Sequence, residues 1–132
     1  VHWYPFFRDY NNTIDPCRGS NLTLCVQHLK GHLETLTVYE KPLWITEFCA
    51  PTIGVYSDDE APVAEAVFLK AALQAIEEVN FVHRIAPFSA RIGMHDFAGC
   101  TMFNVHPNFT PSLTDAGKVY ASWNPHSHDP QN

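Results

Sequence analysis

Glu47 is the residue whose place in the sequence most suggests chemistry. It lies in the run Leu43–Phe48, which is rich in β-branched and aromatic residues, is bounded by prolines and predicts a strand. Side chains alternate along a strand, so Leu43, Ile45 and Glu47 share one face. If Leu43 and Ile45 fill a barrel interior, Glu47 emerges one layer higher, at the mouth where barrel enzymes place their active sites. On the strand pattern alone, a glutamate that ends the strand in solvent is the simpler interpretation.

The histidines could serve a second kind of chemistry, metal binding. His28 and His32 are four residues apart and would share one face of a helix, which is the geometry of a metal pair. No third ligand follows in a zinc motif such as H-E-x-x-H, so a solvated helix face is the better interpretation. The sequence also lacks a glycine-rich phosphate loop and a Ser-x-Gly nucleophile elbow. We therefore expect no metal and no cofactor.

The composition limits the class of protein. The chain has 132 residues, enough for one domain, of which 45% are hydrophobic and 17% charged, and this is a globular composition. Its net charge is −6, and it contains only 8 lysines and arginines. Nucleic-acid binding requires a basic stripe that displaces counterions from the phosphates. The sequence therefore predicts no nucleic-acid partner.

Three N-glycosylation sequons occur in this short chain, at Asn11, Asn21 and Asn108. The cysteines are even in number and form no C-x-x-C pair. Together these features favour a secreted, disulfide-bonded glycoprotein over a chain with buried free thiols.

The spacing of the four cysteines suggests one pairing among the three that are allowed. Cys17 with Cys25 would close a short loop. Cys49 with Cys100 would then form a longer link. Sequence alone does not decide between the pairings.

The two ends of the chain also carry information. No apolar run approaches the roughly 20 residues that cross a bilayer, so the sequence predicts no membrane span. The opening residues, Val1-His2-Trp3-Tyr4, have the character of a strand end and follow no signal peptide or initiator methionine. We therefore expect this chain to act together with an N-terminal half of the same secreted protein. Residues 124–132 are expected to form a polar tail or linker.

Predicted strands and helices alternate along the chain, at residues 1–6, 22–37, 43–48, 62–79, 81–88 and from 112 to about 123. The last helix opens on Ser112-Leu113-Thr114-Asp115, which resembles a capping box. The β-α-β-α-β-α order predicts parallel strands covered by helices, an α/β fold. Residues 1–123 would supply about three units from the C-terminal portion of a (β/α)8 barrel. Unpaired strand edges could alternatively join copies of the chain.

Four segments resemble a known family in their order and spacing. They are Val1-His2-Trp3-Tyr4, Lys41–Phe48, Val82–Phe88 and Leu113–Tyr120. The chain resembles the family-128 glycoside hydrolases, part of the glycosyl hydrolase catalytic core group, across residues 1–123. The Trp-Ile-Thr-Glu-Phe string is fairly specific, whereas His-Trp-Tyr alone is weak.

The resemblance implies a (β/α)8 barrel that cleaves β-1,3-glucan with retention of configuration. It implies that Glu47 is the nucleophile and that a glutamate on an earlier strand is the general acid/base. His2 and Tyr4 share a phase at the end of the preceding strand, where a histidine can hydrogen-bond the nucleophile or a sugar hydroxyl. The rings of Tyr4 and Trp44 could stack on sugars, although packing beneath the helices is the better interpretation for Trp44.

No strand-end carboxylate precedes the nucleophile in this chain, because Glu34 and Glu40 lie on or after the first helix, and Asp96 lies in the last loop without a supporting pattern. This chain alone is therefore expected to be inactive, and activity would require the N-terminal half. Pro87-Phe88 stands where the family usually shows an aromatic Trp-Phe pair, which removes a sugar-stacking wall. The sequence therefore also fits a secreted glycoprotein that keeps the barrel for structure or carbohydrate binding without catalysis.

Overall fold

The computed structural model describes residues 1–3, 22–49, 60–87, 99–104 and 112–123. The helices are α1 (Leu22–Thr35), α2 (Ala61–Glu77) and α3 (Asp115–Ser122), and a short 3-10 turn (Leu36–Tyr39) follows α1. The strands are β1 (His2–Trp3), β2 (Leu43–Ile45), β3 (Glu47–Phe48), β4 (Val82–Ile85), β5 (Phe103–Asn104) and β6 (Ser112–Leu113). The segments β1, β2 with β3, and β4 fall within the predicted strands, whereas β5 and β6 were not predicted as strands.

The run 43–48 lies between two parallel neighbours. Its first half, β2, pairs with β4, and its second half, β3, pairs with β1. Two hydrogen bonds extend the β1 side: the Val1 nitrogen donates to the Trp44 carbonyl at 2.7 Å, and the Thr46 N–H donates to the Val1 carbonyl at 2.9 Å. The three parallel segments therefore follow one another in space in the same order as in the chain.

Buried residues of the strands face the helices. Trp3, Ile45 and Phe48 are at most 4% exposed and belong to one hydrophobic core with residues of all three helices. α2 packs against both α1 and α3. Because side chains alternate along a strand, the neighbours of these buried residues point away from the helices. The strand layer thus has a helix-covered face and an opposite face that none of the described helices covers, which we call the open face.

The period-two expectation for the run 43–48 is wrong at its first half. Ile45 is 1% exposed and packs in the helix-side core, and Leu43 packs against that core as well. Trp44, expected beneath the helices, is 59% exposed instead. Thr46 belongs to neither strand and interrupts the alternation. Glu47 therefore faces away from the helices although Leu43 and Ile45 do not.

The helices agree with the predicted ranges to within two residues at most boundaries. Pro62 lies in the first turn of α2, as expected for a residue without an N–H to satisfy. At α3 the N-cap is Thr114, not Ser112, because Ser112 and Leu113 form β6 and pair antiparallel with β5. None of the helices in the described part of the chain has the length and apolarity required to cross a membrane.

Candidate active site

Glu47 and His2 meet on the open face of the strand layer. They are direct partners in the parallel register of β1 and β3. The His2 Nδ1 lies 3.4 Å from the Glu47 Oε2, and the two side chains are 57% and 36% exposed. Equivalent positions on adjacent parallel strands lie side by side at the same edge, so the register itself brings the two side chains together.

The residues that follow His2 and Glu47 in their strands are buried against the helices. Trp3 and Phe48 follow His2 and Glu47 in the same register and are buried. The Trp3 ring stacks on Phe68 of α2 at a centroid distance of 5.9 Å and an interplanar angle of 11°. Since a buried aromatic side chain fixes the rotation of its strand, the packing beneath the strands directs His2 and Glu47 to the open face.

Trp44 extends the open face toward the amino end of the strand. It pairs in register with Arg84 of β4, and both residues are exposed. Glu47 comes three positions after Trp44, which corresponds to about 10 Å along a strand. An exposed indole offers a flat apolar surface of the kind on which a sugar ring can stack. Tyr4, the other aromatic candidate, lies outside the described residues.

The described carboxylates that precede Glu47 are not placed beside it. Glu34 is exposed on α1, which packs on the helix-covered face. Glu40 has a left-handed backbone (φ 50°) and ends the 3-10 turn that leads into β2. It therefore lies before the amino end of β2, whereas Glu47 lies past its carboxyl end. Asp96 is outside the described residues.

The predicted Cys49–Cys100 disulfide is present. The two Cα atoms are 5.9 Å apart, and both residues are fully buried. Cys25 is also disulfide-bonded. Its predicted partner Cys17 lies outside the described residues, as do the three sequon asparagines, Asn11, Asn21 and Asn108.

One group of side chains has the composition of a metal site. Cys49, Cys100 and Glu65 place their ligand atoms within 4.8 Å of one another, and all three residues are buried. Both sulfurs are bonded to each other in the disulfide. Zinc is bound by thiolate sulfur, so this group does not offer a zinc site while the disulfide is intact.

The histidine pair on α1 differs in its surroundings. His28 is exposed, with its ring 6.1 Å from that of Trp3. Burial lowers the pKa of His32 below its ordinary value of 6.5, and the neighbouring charge of His28 lowers the pKa further. Both effects disfavour the protonated imidazole at His32.

The sequence also matches a family model directly. The model for the glycosyl hydrolase catalytic core matches residues 1–120, a range that includes β1 and β3 and the His2–Glu47 pair. The chain therefore belongs to the glycosyl hydrolase catalytic core family, a family of enzymes that cleave glycosidic bonds. Comparison with curated proteins finds no match, and comparison with solved structures finds none.

Proposed function

We propose that this chain forms part of a retaining glycoside hydrolase that acts on β-1,3-glucan-like polysaccharide, with Glu47 as its nucleophile. The contact between Glu47 and His2 on the open face carries the proposal. It combines a half-exposed carboxylate, a histidine at 3.4 Å and a place on the face that the helices do not cover. The family supplies the reaction class, and the Trp-Ile-Thr-Glu-Phe string supports the finer family-128 assignment.

The chemistry proceeds in two displacements. The Glu47 carboxylate attacks the anomeric carbon while a second carboxylic acid protonates the leaving oxygen, which gives a covalent glycosyl-enzyme. Water then hydrolyses this ester, and the second residue acts as the base. Retaining enzymes hold the two carboxyl groups about 5–5.5 Å apart. We assign the acid/base role to a glutamate on an earlier strand of the complete barrel.

The proposal includes a (β/α)8 barrel of which residues 1–123 form one sector. Three parallel segments follow chain order, and their buried residues share one core with all three helices. Doubly wound α/β sheets, by contrast, place helices on both faces. In a barrel the open face becomes the interior, and the carboxyl ends of the strands become the mouth. Glu47 and His2 would then line that mouth.

We also propose that the protein is secreted. The Cys49–Cys100 disulfide supports this, because disulfides persist in oxidising compartments. The three sequons in the sequence are compatible with the same route. Deglycosylation of protein isolated from its source, followed by mass analysis of the sequon peptides, would test secretion directly.

The decisive experiment measures laminarin hydrolysis by the complete protein that contains this chain. Glu47→Gln keeps the shape of the side chain and removes its nucleophilic oxygen. We expect kcat to fall at least about 1,000-fold, as for other covalent nucleophiles. The matched control is Glu34→Gln, the same substitution on the exposed face of α1, which should leave kcat within about twofold. A wild-type rate in Glu47→Gln would remove Glu47 from the mechanism.

Covalent trapping identifies the role independently of rate. A 2-deoxy-2-fluoro glucosyl donor slows both displacements and accumulates the glycosyl-enzyme. Retention with Glu47 as nucleophile predicts a labelled peptide that spans residues 43–49. A label on a different glutamate would reassign the nucleophile, and product of inverted configuration would reject retention.

A second candidate function is carbohydrate binding without catalysis. The exposed indole of Trp44 favours it, as does Pro87 at a position where the family usually carries an aromatic residue. This alternative predicts that the wild-type protein binds laminarin without cleaving it. It also predicts that Glu47→Gln retains binding while Trp44→Ala weakens it.

A further inference from the structure

An aromatic and a charged side chain share the open face toward the amino ends of the strands. Trp44 of β2 and Arg84 of β4 are partners in the parallel register, so they lie on neighbouring strands that are about 4.8 Å apart. The next partners in that ladder, Ile45 and Ile85, lie in the helix-side core or pack against it. Because side chains alternate along a strand, Trp44 and Arg84 point away from the helices.

The pairing of β2 with β4 is irregular just before these two residues. Leu43 pairs with Val82 and Trp44 pairs with Arg84, so His83 is an extra residue on β4. An extra residue of this kind is a β-bulge, which breaks the regular alternation of side chains. His83 and Arg84 are consecutive, and both are exposed. The bulge therefore keeps Arg84 opposite Trp44 on the open face, although β4 has one residue more than β2 at this point.

The positive charge of Arg84 limits what can cover this face. Its Nη1 donates to the neighbouring His83 carbonyl at 2.8 Å, which uses one of the five N–H donors of a guanidinium. The side chain is exposed, so water reaches the guanidinium. An arginine in a protein keeps its charge when it is covered. A surface that covers Arg84 must therefore replace this water with acceptors.

The proposed barrel would cover this face. In that barrel the open face becomes the interior, and Trp44 and Arg84 lie about 10 Å before Glu47 along the strands, below the mouth. A barrel interior is filled by layers of side chains from alternate strands. A charge enclosed there is costly unless an opposite charge is paired with it. The strands that complete the barrel must therefore neutralise Arg84.

We propose that Trp44 and Arg84 form an interface for the strands of the N-terminal half of the same protein, and that one of these strands directs a carboxylate at Arg84. A carboxylate matches the planar guanidinium, because it can accept two parallel hydrogen bonds from it. The indole of Trp44, which is 59% exposed, supplies the apolar part of this interface. Aromatic residues and arginine are enriched in interface cores. This inference rests on the proposed function, since it takes residues 1–123 as one sector of a barrel.

Thermal unfolding of the complete protein that contains this chain tests the charge. Arg84→Met keeps a long apolar side chain and leaves the partner carboxylate enclosed without a counter-charge. We expect the melting temperature to fall by at least about 6 °C. Arg84→Glu, which opposes two carboxylates, should lower it further, and Arg84→Lys, which keeps the charge, should lower it less than either.

Lys70→Met is the matched control, because it removes an exposed cation from α2. This control should lower the melting temperature by less than about 2 °C. A loss in Arg84→Met that is no larger than the loss in Lys70→Met would overturn the ion pair.

Hydroxyl-radical oxidation of the wild-type complete protein shows what covers the face. We expect Trp44 to react at least about fivefold more slowly in the folded protein than in urea, because an interface core is packed like a protein interior. Tyr39, which is 68% exposed in the 3-10 turn before β2, should change less than about twofold. Protection of Trp44 that is lost on dilution would assign the face to a second copy, and protection that requires laminarin would assign it to a sugar. Either result, or an unprotected Trp44, overturns the proposal.

A carbodiimide cross-link identifies the partner residue. In Arg84→Lys the introduced amine attacks a carboxylate that the carbodiimide has activated and forms an amide with it. Peptide mapping then locates both ends of the link. We expect the second end in the N-terminal half. A link to a carboxylate of residues 1–132 alone, or no link, would overturn the proposed pair.

These measurements require no hydrolysis, so their outcomes separate the two proposals. Full activity in Glu47→Gln together with a cross-link to the N-terminal half would reject the nucleophile but keep the interface. Loss of activity in Glu47→Gln together with an unprotected Trp44 would reject the interface alone.

Discussion

At the scale of single residues, the orientation of Glu47 depends on Thr46. The Val1 carbonyl accepts hydrogen bonds from both the N–H and the hydroxyl of Thr46, at 2.9 and 3.2 Å. Thr46 belongs to neither β2 nor β3, and the side-chain phase changes across it. Threonine is itself a good strand former, so the sequence pattern shows no break. The sequence predicted an accessible Glu47 carboxylate from an unbroken alternation of side chains over residues 43–48. The structure does not have that unbroken alternation.

His32 gives the stability of the protein a pH dependence. Burial and the charge of His28 lower its pKa in the folded state. Between its folded and its unfolded pKa, the unfolded chain binds more protons, so stability rises with pH in that interval. As the pH falls through 6.5 toward the lower folded pKa, stability should be lost.

Urea unfolding at a series of pH values between about 5 and 8 would measure this effect. His32→Gln removes the titrating group, so the variant should lose less stability on acidification than the wild-type protein. Equal slopes of stability against pH in the two proteins would show that His32 does not contribute.

At the scale of secondary-structure elements, tertiary contacts determine which hydroxyl caps the N-terminus of α3. The capping box predicted from the sequence would place Ser112 at the cap. Ser112 is in β6, where its hydroxyl accepts a hydrogen bond of 3.0 Å from the Asn104 side chain. The Thr114 hydroxyl caps the helix and also reaches the buried Thr101 carbonyl. With Thr114 as the cap, Ser112 keeps its hydrogen bond in β6 and the helix terminus is still capped.

Thr114→Ala should therefore destabilise the protein more than an ordinary cap deletion. Loss of an N-cap costs about 1 kcal/mol. An unsatisfied buried carbonyl at Thr101 adds about 1–3 kcal/mol. Thr114→Ser keeps the hydroxyl and should lose less than about 1 kcal/mol. Urea unfolding of both variants checks the prediction, which is wrong if the alanine and serine variants are equally stable.

Helix α2 contains a polar residue that its apolar pattern concealed. The predicted face of Ala66, Leu69, Leu73 and Ile76 is buried, as expected. Glu65 is also buried, at 1% exposure, beside the Cys49–Cys100 disulfide. Its spacing of four residues from Leu69 places it on the same side of the helix. A glutamate that shares the helical spacing of the apolar residues is the sequence feature from which this burial could have been predicted.

At the scale of the whole molecule, one core joins the strands to the helices. Phe68 of α2 is fully buried and stacks on Trp3 of β1. Trp3 lies directly after His2, so the same contact that stabilises the fold also orients the candidate site. The Tyr120 hydroxyl of α3 donates to the Ile85 carbonyl of β4 at 3.3 Å, which connects the third helix to the strand layer as well.

Phe68→Ala should cost about 3–5 kcal/mol, because it deletes a buried aromatic ring and leaves a cavity. The adjacent Val67 is 56% exposed, and Val67→Ala should change stability by less than about 0.5 kcal/mol. Unfolding of both variants in urea measures the difference. Similar losses for the two substitutions would show that Phe68 is not a central core residue.

The sequence alone predicted the three helices, the strand segments that contain β1 to β4, and the glycoside hydrolase class, but it missed β5 and β6. It also suggested the Cys49–Cys100 pairing. Helical and strand periodicities are properties of neighbouring residues, and a family string such as Trp44–Phe48 is contiguous. These features can therefore be predicted without a structure.

The tertiary structure decided which face each strand residue occupies and which hydroxyl caps α3. It also placed His2 beside Glu47, because the parallel ladder between β1 and β3 pairs these two residues, which are 45 positions apart in the chain. Orientation of this kind depends on which partner buries a side chain. That partner is supplied by residues remote in the chain, such as Phe68 beneath Trp3.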